Sequence, residues 1–209
     1  MELFSIRIQR TFQLVSTVQV KVETTPQRNS KKKVTVHKVS FKELWDNYPR
    51  KKSEYIHNAK EISDYCAIKV SISLIKSQIK LKGSFRGAFC WGCKDGGIHA
   101  IRAQELANWL KQRPFAGCPQ VEILTGKEFR EKLNERTGIV FFKDYWQRDI
   151  DSGENRTGDH IDLWDGRGLD KLASQDALGN FLGNTLGLYW DGLYSDKNKS
   201  KEVWFWEIK

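Results

Sequence analysis

Cys66 and His160 are the two residues whose types and settings could together do covalent chemistry. Cys66 stands in Ser63-Asp64-Tyr65-Cys66-Ala67-Ile68-Lys69-Val70-Ser71-Ile72. Ser63 and Asp64 are good N-cap residues and an apolar stripe follows, so the thiol is expected about one turn into a helix. The free N–H groups and partial positive charge at a helix start stabilise a thiolate and lower a cysteine pKa from its ordinary value of roughly 8.5. His160 lies in Gly158-Asp159-His160-Ile161-Asp162-Leu163-Trp164, a short strand. An imidazole beside the thiol can take its proton, which is what a cysteine nucleophile requires. Asp162, two residues on, shares a strand face with His160 and could orient the imidazole or bind substrate. Either residue alone also has a purely structural explanation: a cysteine on an apolar helix is commonly core, and a strand histidine commonly packs locally.

The elements that must hold this pair are legible in outline. Phe4, Ile6 and Ile8, then Val18, Val20 and Val22, alternate with polar residues, which predicts strands with one buried face. Residues 24–33 read as a loop and Val34–Val36 as another short strand. Ser40 with Glu43 forms a capping box and starts a helix from Phe41 to Asn47, ended by Tyr48-Pro49. The cysteine helix is expected over 64–80, with Ile68, Ile72, Ile75 and Ile79 on one stripe. Its β-branched residues weaken intrinsic propensity, so burial against a sheet must stabilise it. Residues 83–97 are glycine-rich and irregular, and 99–112 read as a helix. A second capping box, Thr125 with Glu128, opens a helix to about Arg136. Strands are expected at 138–145, 160–164 and 203–208, the first nearly all apolar. One α+β domain over 40–209 with an antiparallel sheet follows, preceded by a basic β-rich extension over 1–39, which could instead be an integral edge of the main sheet.

Charge narrows the function classes. The chain of 209 residues carries a net charge of +9. Residues 1–60 hold 13 Lys/Arg and 5 Asp/Glu, whereas 61–209 are nearly balanced at 22 and 21. The basicity belongs to the extension, either as a solvated loop or as an arm for an anionic surface, and not to the domain carrying Cys66. No apolar run approaches the roughly 18 residues of a membrane span. Arg7, Gln9 and Arg10 interrupt the first apolar stretch too early for a signal peptide. The other cysteines offer a rival. Cys90, Cys93, His99 and Cys118 could ligate a structural zinc, making a basic, zinc-stapled nucleic-acid binder. A Cys90–Cys93 disulfide or free thiols are the other readings of the pair. The charge map speaks against the nucleic-acid binder, because the cysteine-bearing segment is not where the positive charge lies.

Five blocks occur in order: Ser40-Phe-Lys-Glu-Leu-Trp-Asp-Asn-Tyr-Pro49, Tyr65-Cys-Ala-Ile-Lys-Val-Ser71, His99-Ala-Ile-Arg-Ala-Gln-Glu-Leu-Ala-Asn-Trp109, Gly138-Ile-Val-Phe-Phe142 and Asp159-His-Ile-Asp-Leu-Trp-Asp-Gly166. Over about residues 40–170 the chain resembles the fourth family of type VI secretion amidase effectors. The resemblance implies a papain-like, NlpC-type cysteine amidase, its cysteine helix packed on the antiparallel sheet, that uses no metal or other cofactor. It implies hydrolysis of the γ-D-glutamyl–meso-diaminopimelate bond in peptidoglycan stem peptides of rival bacteria. It also implies delivery by the type VI secretion machinery into the target periplasm, without membrane insertion or nucleic-acid binding, and a cognate periplasmic immunity protein. Cys66 matches the family nucleophile and His160 the general base. The third, acidic position falls closest to Asp170, although Lys171 occupies the expected spacing, so Asp170 and Asp162 both stand as candidates. Asp170 is the choice on the family pattern, with Asp162 as a substrate contact.

Overall fold

The computed structural model describes residues 17–25, 30–55, 64–90, 98–153, 155–167, 172–174 and 196–209. The chain divides into two compact units, Met1–Lys38 and Val39–Lys209. In the first, β1 (Thr17–Thr25) and β2 (Ser30–His37) form an antiparallel hairpin. Pairing runs further toward the turn than the polar composition of 24–33 suggests, with Lys21 opposite Lys33 and Glu23 opposite Lys31. The strands expected around Phe4–Ile8 lie outside the described residues.

The second unit contains α1 (Phe41–Asp46), α2 (Cys66–Lys76), α3 (Ala103–Lys111), β3 (Glu122–Leu124), α4 (Phe129–Lys132), β4 (Thr137–Trp146), β5 (Gly158–Asp165) and β6 (Glu202–Glu207). The strands form one antiparallel sheet in the order β3-β6-β4-β5. Side chains alternate across it. Ile139, Phe141, Ile161, Leu163, Trp204 and Trp206 belong to a core with α1, α2 and α3. Val140, Phe142, Trp164, Val203 and Phe205 pack instead with Phe129 and Leu133 around α4. With both faces covered, β4 has no solvent face to carry polar residues, which explains its unbroken apolar run. Gly138 is the exception within that run, because a Cβ there would lie 2.0 Å from the Trp206 carbonyl oxygen on β6.

The fold is an α+β arrangement with an antiparallel sheet, and its helices are shorter than their sequence signals. Ser40 caps α1 as expected, its Oγ accepting from the Glu43 N–H at 3.3 Å. Cys66 is the first residue of α2 rather than lying a turn inside it, and Tyr65, whose side chain makes no capping bond, is the N-cap. The 99–112 helix begins only at Ala103, because His99 and Ile101 spend their backbone groups pairing with Cys90 and Ala88. The capping box at Thr125 closes on one side, with Glu128 Oε1 accepting from the Thr125 N–H at 3.0 Å. The helix it opens stops at Lys132, because Glu135 and Arg136 exchange backbone hydrogen bonds with Gly166 at the end of β5.

Three buried serines lock α2 in place. Ser73 Oγ donates to the Leu44 carbonyl at 2.6 Å, and Ser77 Oγ accepts from Asn47 Nδ2 at 3.0 Å, tying α2 to α1. Ser71 Oγ donates to Ala67 O at 2.7 Å and accepts from the Ala100 N–H at 3.1 Å. A helix rich in β-branched residues is thus fixed by burial and by polar groups that find partners across the core. Ser71→Ala orphans a buried N–H, so it should destabilise the protein by about 1–3 kcal/mol. The urea midpoint should fall with an unchanged m-value, and an unchanged midpoint would remove Ser71 from this role.

Candidate active site

β5 is one of the two edge strands of the sheet, and α2 packs directly against it. This brings the start of α2 to the strand that carries His160. Cys66 is partly buried at the first position of the helix, and its thiol lies within electrostatic reach of the His160 imidazole. The outer side of β5 is closed by a short return of the chain. Leu172 bridges to Trp164, and the Ala173 N–H donates to Leu163 O at 3.1 Å. That return delivers Ser174 to Asp162.

Asp162 has no exposed surface. Its Oδ2 accepts from Ser174 Oγ at 2.5 Å and from the Ser174 N–H at 3.1 Å, while Oδ1 accepts from the Leu163 N–H at 2.8 Å. His160 Nε2 sits 3.4 Å from the same Oδ2. The buried Tyr48 hydroxyl faces this carboxylate as well, without closing a bond of conventional length or angle. Burial alone would raise the Asp162 pKa, but the surrounding donors, His160 foremost, hold it below its ordinary value. Burial likewise works to lower the His160 pKa, yet hydrogen bonds to Asp162 and Cys66 outweigh it and carry the imidazole up to about 9. An imidazole held charged between a buried carboxylate and a thiol can stabilise a thiolate and later donate a proton.

Aromatic rings position the imidazole. Phe142 stacks on it at 6.4 Å between centroids and 28° between planes, and Tyr145 meets it edge-on at 6.4 Å. Tyr145 is turned toward the site by an irregularity in β4 between Phe142 and Trp146, where Asp144 takes a left-handed conformation with φ of 51°. The Asp159 carboxylate steadies that bulge, accepting from the Asp144 N–H at 3.0 Å. Two lysines flank these groups. Lys69 follows Cys66 by one helical turn, and Lys197, in a 3-10 turn against β4, has its Nζ 5.7 Å from the Tyr145 ring centroid. Burial of the Lys197 ammonium depresses its pKa to about 8, against the opposing attraction of Asp162.

Cys66, His160 and Asp162, the candidates expected from the sequence, are brought together here. Asp170 lies outside the described residues. Ser174, Tyr48, Tyr145 and the two lysines were not anticipated. The Tyr48-Pro49 helix stop was a signal for the first, but nothing local marks Ser174. Of the proposed zinc ligands, Cys90 is disulfide-bonded and so offers no thiolate, and Cys93 is outside the described residues. Cys118 is a free, buried thiol whose pKa burial pushes up to about 12, and its Sγ donates to Leu110 O. Among the described residues no cluster of three His, Cys, Asp or Glu side chains is arranged to hold a metal. No helix among them is long and apolar enough to cross a membrane.

Two outcomes follow from these electrostatics. A raised His160 pKa contributes stability that is complete below its ordinary value of about 6.5 and is lost as pH rises through about 9. Asp162→Asn should therefore lower the imidazole pKa titrated by NMR. Its stability deficit, on the order of 2 kcal/mol, should be largest below pH 6.5 and narrow toward pH 9; an unmoved His160 titration would contradict this. Lys197 has the opposite sign. Its depressed pKa means that a charge is buried at a cost below about pH 8, and the cost is relieved as pH rises toward 10.5. Lys197→Met should stabilise the protein at pH 7 by about 1–2 kcal/mol. Thermal melts across pH 7–10 should show that advantage fading, and a destabilised variant at pH 7 would refute it.

The comparisons with known proteins agree with this architecture. A family model described as type VI secretion system amidase effector protein 4, Tae4, matches residues 62–206. The fold is similar to Tae4 of the Salmonella typhimurium effector–immunity system Tae4/Tai4, with a TM-score of 0.52 at 16% identity, covering 81% of this chain and 98% of that one. It is also similar to the type VI effector Tae4 from Enterobacter cloacae, with a TM-score of 0.54 at 13% identity, covering 81% and 96%. No sequence among curated proteins matches. The matched segment takes in Cys66, His160 and the sheet as far as Trp206, and the chain belongs to the Tae4 family of type VI secretion amidase effectors.

Proposed function

We propose that the protein is a papain-like cysteine amidase of the NlpC type that hydrolyses peptidoglycan stem peptides at the γ-D-glutamyl–meso-diaminopimelate bond. The observation that carries this reading is the Cys66–His160–Asp162 chain of contacts at the junction of α2 and β5. Cys66 is the nucleophile. His160 accepts the thiol proton, through Nδ1 if Nε2 keeps its partner Asp162. The thiolate adds to the amide carbonyl, and the oxyanion is stabilised by backbone N–H groups at the start of α2, which lack intrahelical acceptors. The imidazolium then protonates the departing amine, leaving a thioester. Water, deprotonated by His160, releases the acid and restores the thiol.

For the third position the contacts of Asp162 support a positioning role: it fixes the imidazole and stabilises its charged form. A carboxylate with no exposed surface suits that role better than contact with substrate. Asp170 remains the acid that the family pattern nominates. The biological setting is part of the same proposal. The enzyme is delivered by the type VI machinery and acts in the periplasm of target cells, where a cognate immunity protein neutralises it. A disulfide-bonded Cys90 suits an oxidising compartment of that kind.

Purified diaminopimelate-type sacculi test the reading directly. Wild type should release stem-peptide fragments, identified by mass spectrometry, with new termini at D-glutamate and diaminopimelate. Cys66→Ala and His160→Ala should each lower the rate by 10³-fold or more while remaining folded. Undigested sacculi with folded wild type, or normal turnover by Cys66→Ala, would overturn it.

A further inference from the structure

We propose that Lys69 is a specificity-determining residue, its ammonium binding the free α-carboxylate of the γ-linked glutamyl residue whose side-chain carbonyl Cys66 attacks. The inference rests on the amidase reading above and adds to it what the site recognises beside the bond. Lys69 is three residues after Cys66 on α2, so the two side chains share a helix face with Cβ atoms about 5–6 Å apart. In a γ-glutamyl amide the α-carboxylate carbon lies four carbon–carbon bonds from the scissile carbonyl carbon, a comparable span at about 1.5 Å per bond. A carbonyl over the thiol therefore puts the carboxylate within reach of the lysine.

Three observations mark this lysine as prepared for an anion. It is only partly exposed, where lysine is mostly exposed. Among the described residues it forms no ion pair, whereas Lys42, Lys76 and Lys143 on the same unit do. Its Nζ is held 4.2 Å from the centroid of the Tyr55 ring, which itself packs on Tyr65, the residue before the nucleophile, at 5.5 Å. A cation over a ring face stays localised while its remaining N–H groups are free to donate. Burial depresses the Lys69 pKa, and the negative charges it feels in opposition are those of Asp162 and Cys66, so the ammonium is within electrostatic reach of the reacting groups. Asp162 is enclosed by its own donors, so an incoming carboxylate would be the direct partner this cation lacks.

A pair of substrates separates this role from others. One is a stem tetrapeptide with D-glutamate, the other the same peptide with D-isoglutamine, whose α-carboxamide is neutral. Wild type should turn over the carboxylate peptide with the higher kcat/KM. Lys69→Met should lose ten-fold or more on the carboxylate peptide, chiefly through KM, and less than two-fold on the carboxamide. Lys69→Arg should keep most of the preference, and carboxamide turnover serves as the folding control. Equal losses on both peptides would mean that Lys69 acts on the thiolate or the fold, and no loss on either would remove it from the site; both outcomes overturn the proposal. Cleavage of neither peptide by wild type would overturn the amidase reading, and this inference with it.

Discussion

A carboxylate removed entirely from water must be compensated where it stands. In this fold that constraint falls on Asp162. Its two oxygens accept from two backbone N–H groups and one hydroxyl, with a tyrosine hydroxyl and an imidazole facing it. These donors come from β5 itself, from the return at 172–174 and from the end of α1. Each must be in place for the charge to be tolerated, so the carboxylate ties distant segments to one geometry. The imidazole benefits most. It is held in orientation by Asp162 below, by Phe142 and Tyr145 at its ring, and by the thiol opposite.

The sheet makes this possible by ending at β5. An interior strand would have both edges occupied by neighbours, leaving no room for a helix start to approach. At the edge, one side of β5 pairs with β4, while α2 and residues 172–174 share the space around the other. The bulge in β4 belongs to the same design, because without the left-handed turn at Asp144 the pleat would carry Tyr145 on a different course.

Much of this was written locally. A single cysteine ahead of an apolar stripe, a His-x-Asp strand and an uninterrupted apolar β4 each signal their roles through spacing alone. What the sequence concealed was set by pairing between segments far apart. His99 to Ile101 look helical, yet their backbone groups bond to 88–90 and delay α3 to Ala103. The Thr125 helix is cut short by Gly166, and β3 is a three-residue strand with no pattern of its own until β6 supplies a partner. Ser174 escaped notice because an isolated serine in a loop has no periodicity. Tyr48 read only as a helix stop, and nothing in the local pattern singled out Lys69 or Lys197. Capping chemistry near Asp64 is worth about 1 kcal/mol, too little to fix where α2 begins against the packing of its buried face.

The place of β6 carries a consequence for how the chain acquires its shape. Residues 202–207 are the last of the described strands in chain order, yet they lie inside the sheet, between β3 and β4. Until they arrive, one edge of β4 is unpaired and Phe141 and Ile139 lack Trp204 and Trp206 as neighbours. The backbone beyond β6 then reaches back, with the Phe41 N–H donating to Lys209 O at 3.0 Å. In chain order β6 follows every strand it joins, so the sheet cannot be completed until it has been synthesised. The β4 strand that supports β5, and with it His160, thus gains its second neighbour only from the most distant part of the sequence.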